Sequence, residues 1–185
     1  MSAQYNVANP SALGLLGFGM TTVILALHNL GLFGLDSTIL AMGIFYGGAA
    51  QVIAGIMEFK RNNMFGATAF TSYGLFWIAL VTVKTGMMGS FGFVSDPNSM
   101  TAFFFLWGML TLVFFVGTLR GGRALQVVFL TLTTLFFVLA VGTYLDSEIT
   151  MRIAGVVGVV CGGSAFYTAS AEILNDKYEE QKLPL

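Results

Sequence analysis

Long apolar runs, separated by short polar stretches, dominate the chain. Six of these runs reach or approach the length of about 20 residues that a helix needs to cross a bilayer. None alternates in polarity as the strands of a membrane barrel do. The runs are Leu13–Leu32, Thr38–Met57, Phe65–Val83, Met100–Leu119, Ala124–Tyr144 and Arg152–Leu174. We therefore predict an all-α integral membrane protein with six transmembrane helices.

The basic residues in the polar stretches predict the orientation. In a six-helix topology both termini, the second connection and the fourth connection lie on one side of the membrane. Basic residues accumulate on the cytoplasmic side. The termini side carries Lys60, Arg61, Arg120, Arg123, Lys177 and Lys182, and the other side carries Lys84 and Arg152. We predict a plasma-membrane protein with a cytoplasmic N-terminal segment at 1–12, a transmembrane domain at 13–174 and a cytoplasmic tail at 175–185.

Composition narrows the function. Of the 185 residues, 56% are hydrophobic and 9% are charged, whereas soluble domains carry about 25% charged residues. The net charge of −1 gives no reason to expect a nucleic acid partner. One histidine and one cysteine cannot form a zinc site, and no catalytic or phosphate-binding motif occurs. We therefore expect no metal, no cofactor and no enzymatic activity, and the lipid bilayer as a partner.

Polar side chains inside the runs are the candidate functional groups. No run carries a charge near its middle, and we expect Glu58 and Glu172, at the ends of their runs, to be interfacial. His28 is a candidate proton-sensing group because histidine titrates near neutral pH; the alternative is an interfacial histidine bonded to backbone or water. Gln51 either bonds a neighbouring helix or faces a wet cavity.

Uncharged hydroxyls recur along the runs, Thr21 and Thr22 among them. Most threonine hydroxyls in helices bond their own backbone. Neutral groups of this kind can nevertheless replace part of the water around a small polar solute without trapping it, since conduction requires weak sites. We therefore include Thr21 and Thr22 in a predicted substrate pathway.

The N-terminal string NPSALGL closely resembles NPAPLGL, the signature of the acetate uptake transporters (the acetate/succinate permease family). The matching positions are Asn9, Pro10, Leu13, Gly14 and Leu15, and Ser11-Ala12 stands where the family has Ala-Pro. The likeness continues through GFGMTTVILALHN, AMGIFYGGAAQVIAG and FGATAFTSYG, and covers essentially all six runs. Asn9-Pro10 also reads as a helix N-cap followed by proline at the first helical position. The alternative is direct contact with a solute.

The resemblance implies a homohexamer of six-helix protomers, each with its own pore, in a fold similar to proton-gated urea channels. It implies transport of acetate, and sometimes of succinate, across the plasma membrane. Matching strings place the narrow point of the pore at Phe18, Tyr73 and Leu132. They place Gln51 and Ala165 on the pore lining.

We therefore predict a pathway for small monocarboxylates that selects by size, working either by proton symport or by channel-like anion flow. A channel for small neutral solutes such as urea or ammonia is the alternative, because no run carries a buried charge near its middle. A membrane scaffold that transports nothing is a third hypothesis. It predicts that Phe18, Tyr73 and Leu132 lie apart in packed core.

Overall fold

Six long helices form the protein, as the computed structural model shows for residues 8–185. The helices are α1 (Ser11–Asn29), α2 (Ser37–Lys60), α3 (Met64–Lys84), α4 (Pro97–Thr118), α5 (Arg123–Tyr144) and α6 (Glu148–Tyr178). All six are long and apolar enough to cross a membrane, which confirms the six-helix prediction. Positions 1–7 of the predicted N-terminal segment lie outside the described residues.

Polar residues that interrupt the apolar runs cap the helices that follow them. A side-chain oxygen of the N-cap residue accepts a backbone N–H of the first turn in four helices. These caps are Asp36 for α2, Asn63 for α3, Asp96 for α4 and Ser147 for α6. A cap of this kind contributes about 1 kcal/mol by satisfying a donor that has no partner inside the helix.

A π-helical segment, Met42–Ala50, divides α2 into two α-helical parts. Its wider turn changes the angle at which later side chains leave the helix axis. Gly43 lies against Val81 and Trp77 of α3, and Gly47 lies against Trp77 and Thr21 of α1. The π-helical segment therefore fits between α1 and α3 through residues that have no side chain.

Glycines also allow close backbone contact between other parts of the bundle. A Cβ placed on Gly162 of α6 would lie 2.6 Å from the carbonyl oxygen of Gly19 in α1. A Cβ on Gly55 of α2 would collide with Thr71 Oγ1 of α3. Such small-residue contacts are the common way in which membrane helices approach closely. They hold α6 against α1 and α3 against α2.

The final helix is longer than the apolar run that predicts it. Ser147 caps its start, and at its end Glu179 adopts a left-handed conformation with φ of 52°. The first residues of the predicted tail at 175–185 are therefore helical. The chain then turns back, and Asn175 donates to the Leu183 carbonyl at 2.8 Å while Tyr167 donates to the Pro184 carbonyl at 3.0 Å.

Candidate functional site

Two cavities lie toward opposite ends of the bundle. The first, which we call the His28 cavity, has a volume of about 60 Å³ and reaches His28 and Lys84 at the carboxyl ends of α1 and α3. The second, which we call the Glu58 cavity, has a volume of about 90 Å³ and reaches Ser11, Glu58 and Glu172. Each is lined mainly by apolar side chains from several helices.

Phe18 and Leu132 line both cavities and therefore form the wall between them. Tyr73 joins them from the side of the Glu58 cavity, with its ring centroid 6.1 Å from that of Phe18. All three side chains are buried. The structure thus brings the three predicted constriction residues together, near the middle of α1, α3 and α5. We call this group the neck.

A dense aromatic cluster fixes the Tyr73 ring. The rings of Trp107 and Phe114 from α4 have centroids 5.9 Å away, and that of Phe136 from α5 stacks at 6.5 Å. The Tyr73 hydroxyl lies 2.8 Å from Thr111 Oγ1 of α4. Tyr73 thus contributes its ring to the neck, while its hydroxyl is bonded to a neighbouring helix.

The predicted pathway residues separate into two groups. Thr22 lines the His28 cavity and donates to the Phe18 carbonyl at 2.7 Å, so these two residues share one face of α1 as their spacing predicts. Gln51 lines the Glu58 cavity, which favours the cavity hypothesis over the interhelical one.

Thr21 and Ala165, in contrast, line neither cavity. Thr21 is covered by the π-helical segment, whose Met42 carbonyl accepts its hydroxyl at 3.4 Å, and Ala165 packs beside Gly19.

The expectation that Glu58 is interfacial is wrong. Its side chain is fully buried, because α3 folds back over it through Asn63 and Gly66. Glu58 Oε2 accepts a hydrogen bond from Asn63 Nδ2 at 2.9 Å, and Arg61 Nη1 lies 3.9 Å from the same oxygen. Glu58 Oε1 has no hydrogen-bond partner within residues 8–185. Glu58 is therefore a buried carboxylate that belongs to the lining of the Glu58 cavity, and one of its oxygens has no partner among the described residues.

Glu172 of α6 lies half-buried on the other side of the Glu58 cavity. It accepts a hydrogen bond from the Ser11 hydroxyl of α1. Ser11 is one of the two positions at which this sequence departs from the family signature.

The remaining signature residues build the start of α1. Asn9 Oδ1 accepts the Ser11 N–H at 3.2 Å and a hydrogen bond from Arg61, which ties α1 to the end of α2. Pro10 has helical dihedral angles but lies at the N-cap, one residue before its predicted place. Gly14 leaves room for the Phe70 ring, Leu15 lines the Glu58 cavity, and Leu13 is exposed.

His28 lines the cavity named after it, next to Asn29 and Lys84. One ring nitrogen, Nδ1, lies 2.9 Å from the Phe33 carbonyl oxygen in the connection to α2. This contact is the backbone bond expected for an interfacial histidine. The proton-sensing role of His28 stays a prediction.

Sequence reasoning missed the polar groups that surround the Glu58 cavity. Glu58 and Glu172 each end an apolar run, and that position gave no reason to expect burial. The useful signal was the polar string Glu58 to Asn63, EFKRNN, because it contains both the carboxylate and the side chain that covers it. Thr111 was missed as the partner of Tyr73 because their contact joins two different helices.

The chain is thus a six-helix membrane protein in which the two cavities described above share the buried side chains of Phe18 and Leu132. The chain belongs to the GPR1/FUN34/yaaH family, whose profile matches residues 1–183. This result confirms the family resemblance that the N-terminal signature indicates.

Several proteins to which the chain is similar are named as transporters or channels. The chain is 50% identical over 181 residues to the succinate-acetate/proton symporter SatP of Escherichia coli (strain K12), covering 97% of this chain and 95% of that protein. A solved structure described as the bacterial acetate channel SatP matches with a TM-score of 0.91 and 48% identity, over 97% of this chain and 99% of that one. The ammonia transport outward protein 2 of Saccharomyces cerevisiae is 31% identical over 176 residues, which span 91% of this chain and 62% of that protein.

Proposed function

We propose that this chain carries acetate, and other small carboxylates such as succinate, across the plasma membrane. In this proposal the solute passes from one cavity to the other through the neck, and the chain works as a transporter and not as an enzyme. The similarity to a succinate-acetate/proton symporter and to an acetate channel supports this function. The observation that carries it is the shared wall of the two cavities at Phe18 and Leu132.

The neck selects by size and by cost of desolvation. Its three side chains present apolar surface, so a hydrated ion must lose water that the neck does not replace. A two-carbon acid carries a methyl group that suits this surface and one carboxyl that needs water or hydrogen-bond donors on either side. Gln51 in the Glu58 cavity offers such a donor through its side-chain amide, whereas Thr22 in the His28 cavity can only accept, because its proton is donated to the Phe18 carbonyl.

Reconstitution of the purified protein in liposomes tests the function. Uptake of labelled acetate above that of empty vesicles is the expected result, with competition by unlabelled acetate and none by urea. Acidification of the vesicle interior that follows acetate entry indicates co-transport with a proton. A current that reverses at the acetate equilibrium potential indicates a channel. Uptake equal to that of empty vesicles contradicts the proposal.

A channel for a small neutral solute is the second candidate, and the similarity to a protein named for outward ammonia transport favours it. The same liposomes distinguish the two functions. In this case methylammonium or urea enters faster than in empty vesicles, and acetate does not compete.

We also propose the assembly and orientation that the family resemblance implies, namely a homohexamer with both termini in the cytoplasm. Arg61 and Arg123 lie at the same end of the bundle as Ser11 and the C-terminal residues, and the Leu185 backbone approaches Gly122. This clustering of basic side chains supports the orientation. Native mass spectrometry tests the assembly, and labelling of a cysteine placed in the C-terminal tail tests the orientation.

A further inference from the structure

Lys84 is the last residue of α3 and belongs to the lining of the His28 cavity. This lining extends from Phe18 and Leu132 at the neck to His28 and Lys84, where α1 and α3 end. About 15 Å of helix, at a rise of about 1.5 Å per residue, separates Phe18 from His28. In the proposed orientation this end of the bundle faces outward, so Lys84 lies where a solute from outside enters the cavity.

The charge of Lys84 has no partner in the cavity. Of the described residues that line it, Lys84 alone carries a permanent charge, and the other titratable one, His28, can only add positive charge. Lys84 is exposed and forms no ion pair with another described residue. The mouth of the His28 cavity therefore carries positive charge.

The other charged groups at this end of the bundle are compensated or lie elsewhere. Arg152 pairs with Glu148 at 2.6 Å, so their charges cancel. Asp36 and Asp96 accept backbone N–H groups at the starts of α2 and α4, where the helix dipoles offset a negative charge. Asp146 lines a separate surface depression together with Glu148 and does not line the His28 cavity. Lys84 therefore dominates the charge of the cavity mouth.

The Glu58 cavity has the opposite charge pattern. Glu58 and Glu172 line it, and no lining residue among those described is basic. Arg61 lies 3.9 Å from Glu58 and is bonded to Asn9. Two acids and one base leave this end without an excess of positive charge. Electrostatic attraction of an anion is therefore a property of the His28 cavity.

We propose that Lys84 concentrates small carboxylate anions at the mouth of the His28 cavity and thereby lowers the KM for uptake of acetate from outside. The inference rests on the proposed function and names the residue that favours anions at the outer entrance. Near neutral pH almost all acetate is the anion, since carboxyl groups of this kind titrate near about pH 4.3. An exposed ammonium attracts this anion weakly because solvent screens the charge. Weak attraction suits a pathway, since a tight site would hold the solute.

The substitution Lys84→Cys allows the charge at this position to be changed within one protein. Right-side-out membrane vesicles present the mouth of the His28 cavity to the medium in the proposed orientation. Two impermeant methanethiosulfonates of similar size, one with a trimethylammonium group and one with a sulfonate, attach a positive or a negative charge to the thiol. The natural Cys161 is buried, and mass spectrometry checks that only the new thiol has reacted.

The positive adduct should have a KM for labelled acetate about fivefold lower than that of the negative adduct, with a much smaller change in maximal rate. About fivefold corresponds to the attraction between two unit charges roughly 4 Å apart in water. The difference should shrink at high ionic strength, because the Debye length falls from about 30 Å at 0.01 M to about 3 Å at 1 M. Uptake by vesicles without the protein is subtracted, which corrects for diffusion of acetic acid through lipid.

The matched control is Val94→Cys, treated with the same two reagents. Val94 is 88% exposed in the connection that follows α3 and lines neither cavity, so both adducts should leave KM unchanged. Two variants without thiol chemistry provide a second test. Lys84→Arg keeps the charge and should keep KM, whereas Lys84→Gln should raise KM several-fold.

Equal KM values for the two adducts overturn the inference, and so does a Lys84→Cys thiol that does not react from outside. If Lys84→Cys does not fold, the comparison of Lys84→Arg with Lys84→Gln decides, and equal KM values in that pair overturn the inference as well. Uptake of acetate by the unmodified protein that does not exceed uptake by vesicles without it contradicts the proposed function instead. The two failures are therefore distinguishable.

Discussion

Tyr73 donates its hydroxyl proton to Thr111 Oγ1 across a distance of 2.8 Å. The direction follows because Thr111 donates its own single proton to the Trp107 carbonyl at 2.7 Å. The bond joins α3 to α4 and fixes the rotation of the ring that forms one side of the neck. The width of the neck therefore depends on a contact outside the cavities.

Thr111→Val should destabilise the protein more than Tyr73→Phe. Valine removes the acceptor and leaves a buried Tyr73 O–H without a partner, which costs about 1–3 kcal/mol. Phenylalanine removes the donor but leaves the Thr111 bond to Trp107 intact, and a typical net hydrogen bond is worth only about 0.5–1.5 kcal/mol. Thermal unfolding of the purified variants in detergent measures both effects.

Thr133→Val is the control for this pair of variants. Thr133 is buried in α5 and donates only to the Phe129 carbonyl of its own helix. The substitution Thr133→Val should therefore lower the unfolding temperature less than Thr111→Val does. Equal stability of Thr111→Val and the unmodified protein would show that the bond does not hold the ring.

Leu132→Ala should widen the neck. Leu132 is buried and borders both cavities, so its truncation joins them through the space that the side chain leaves. We expect uptake of larger acids such as lactate and succinate to rise relative to acetate. The lost packing should lower stability by about 2–5 kcal/mol, the usual range for a buried leucine. Competition of a series of acids with labelled acetate measures the selectivity.

Leu130→Ala provides the comparison from the same helix. Leu130 is 50% exposed and points away from the bundle, so its truncation should leave the ranking of acids unchanged. The same ranking in both variants would mean that Leu132 only packs.

Gly162→Ala should separate α6 from α1. The added methyl group would lie 2.6 Å from the Gly19 carbonyl oxygen and 2.7 Å from Val23 Cγ2, and the backbone there cannot move aside cheaply. Overpacking of this kind costs about 1–3 kcal/mol. The neighbouring substitution Gly163→Ala meets no atom within 4 Å and is the matched control. Equal unfolding temperatures of the two variants would contradict the close contact.

The number of helices was predictable from the sequence because it depends on local properties. Run length gives the spans, and polar residues of the stretches between the runs cap the following helices, as Asp36 and Asp96 show. The extension of α6 to Tyr178 was not predictable from hydropathy, since its last turn is polar. That last part of the helix is held by hydrogen bonds between the Asn175 side chain and the backbone of Leu183 in the tail, and hydropathy carries no information about such bonds.

The candidate site was predictable only in part, because periodicity gives the face of a helix but not the neighbour that covers it. Thr21 and Thr22 are adjacent in sequence, yet Thr22 borders a cavity while the π-helical segment covers Thr21. The burial of Glu58 likewise depends on the fold of α3 over it. The prediction that Phe18, Tyr73 and Leu132 lie together rested on the family resemblance, because the periodicity of a single sequence does not show which helices are neighbours.

Asn63→Asp should make stability depend on pH. Aspartate can still cap α3 through the Gly66 N–H, since Asn and Asp are equivalent as caps. It removes the Nδ2 donor to Glu58, however, and places a second carboxylate against a buried one. The folded state then binds an additional proton more strongly than the unfolded state does, so stability should rise as pH falls. We expect a lower unfolding temperature than that of the unmodified protein at neutral pH, and a smaller difference at mildly acidic pH. The reverse exchange at another cap, Asp96→Asn, should produce no such trend; a trend equal to that of Asn63→Asp would show that it does not arise from Glu58.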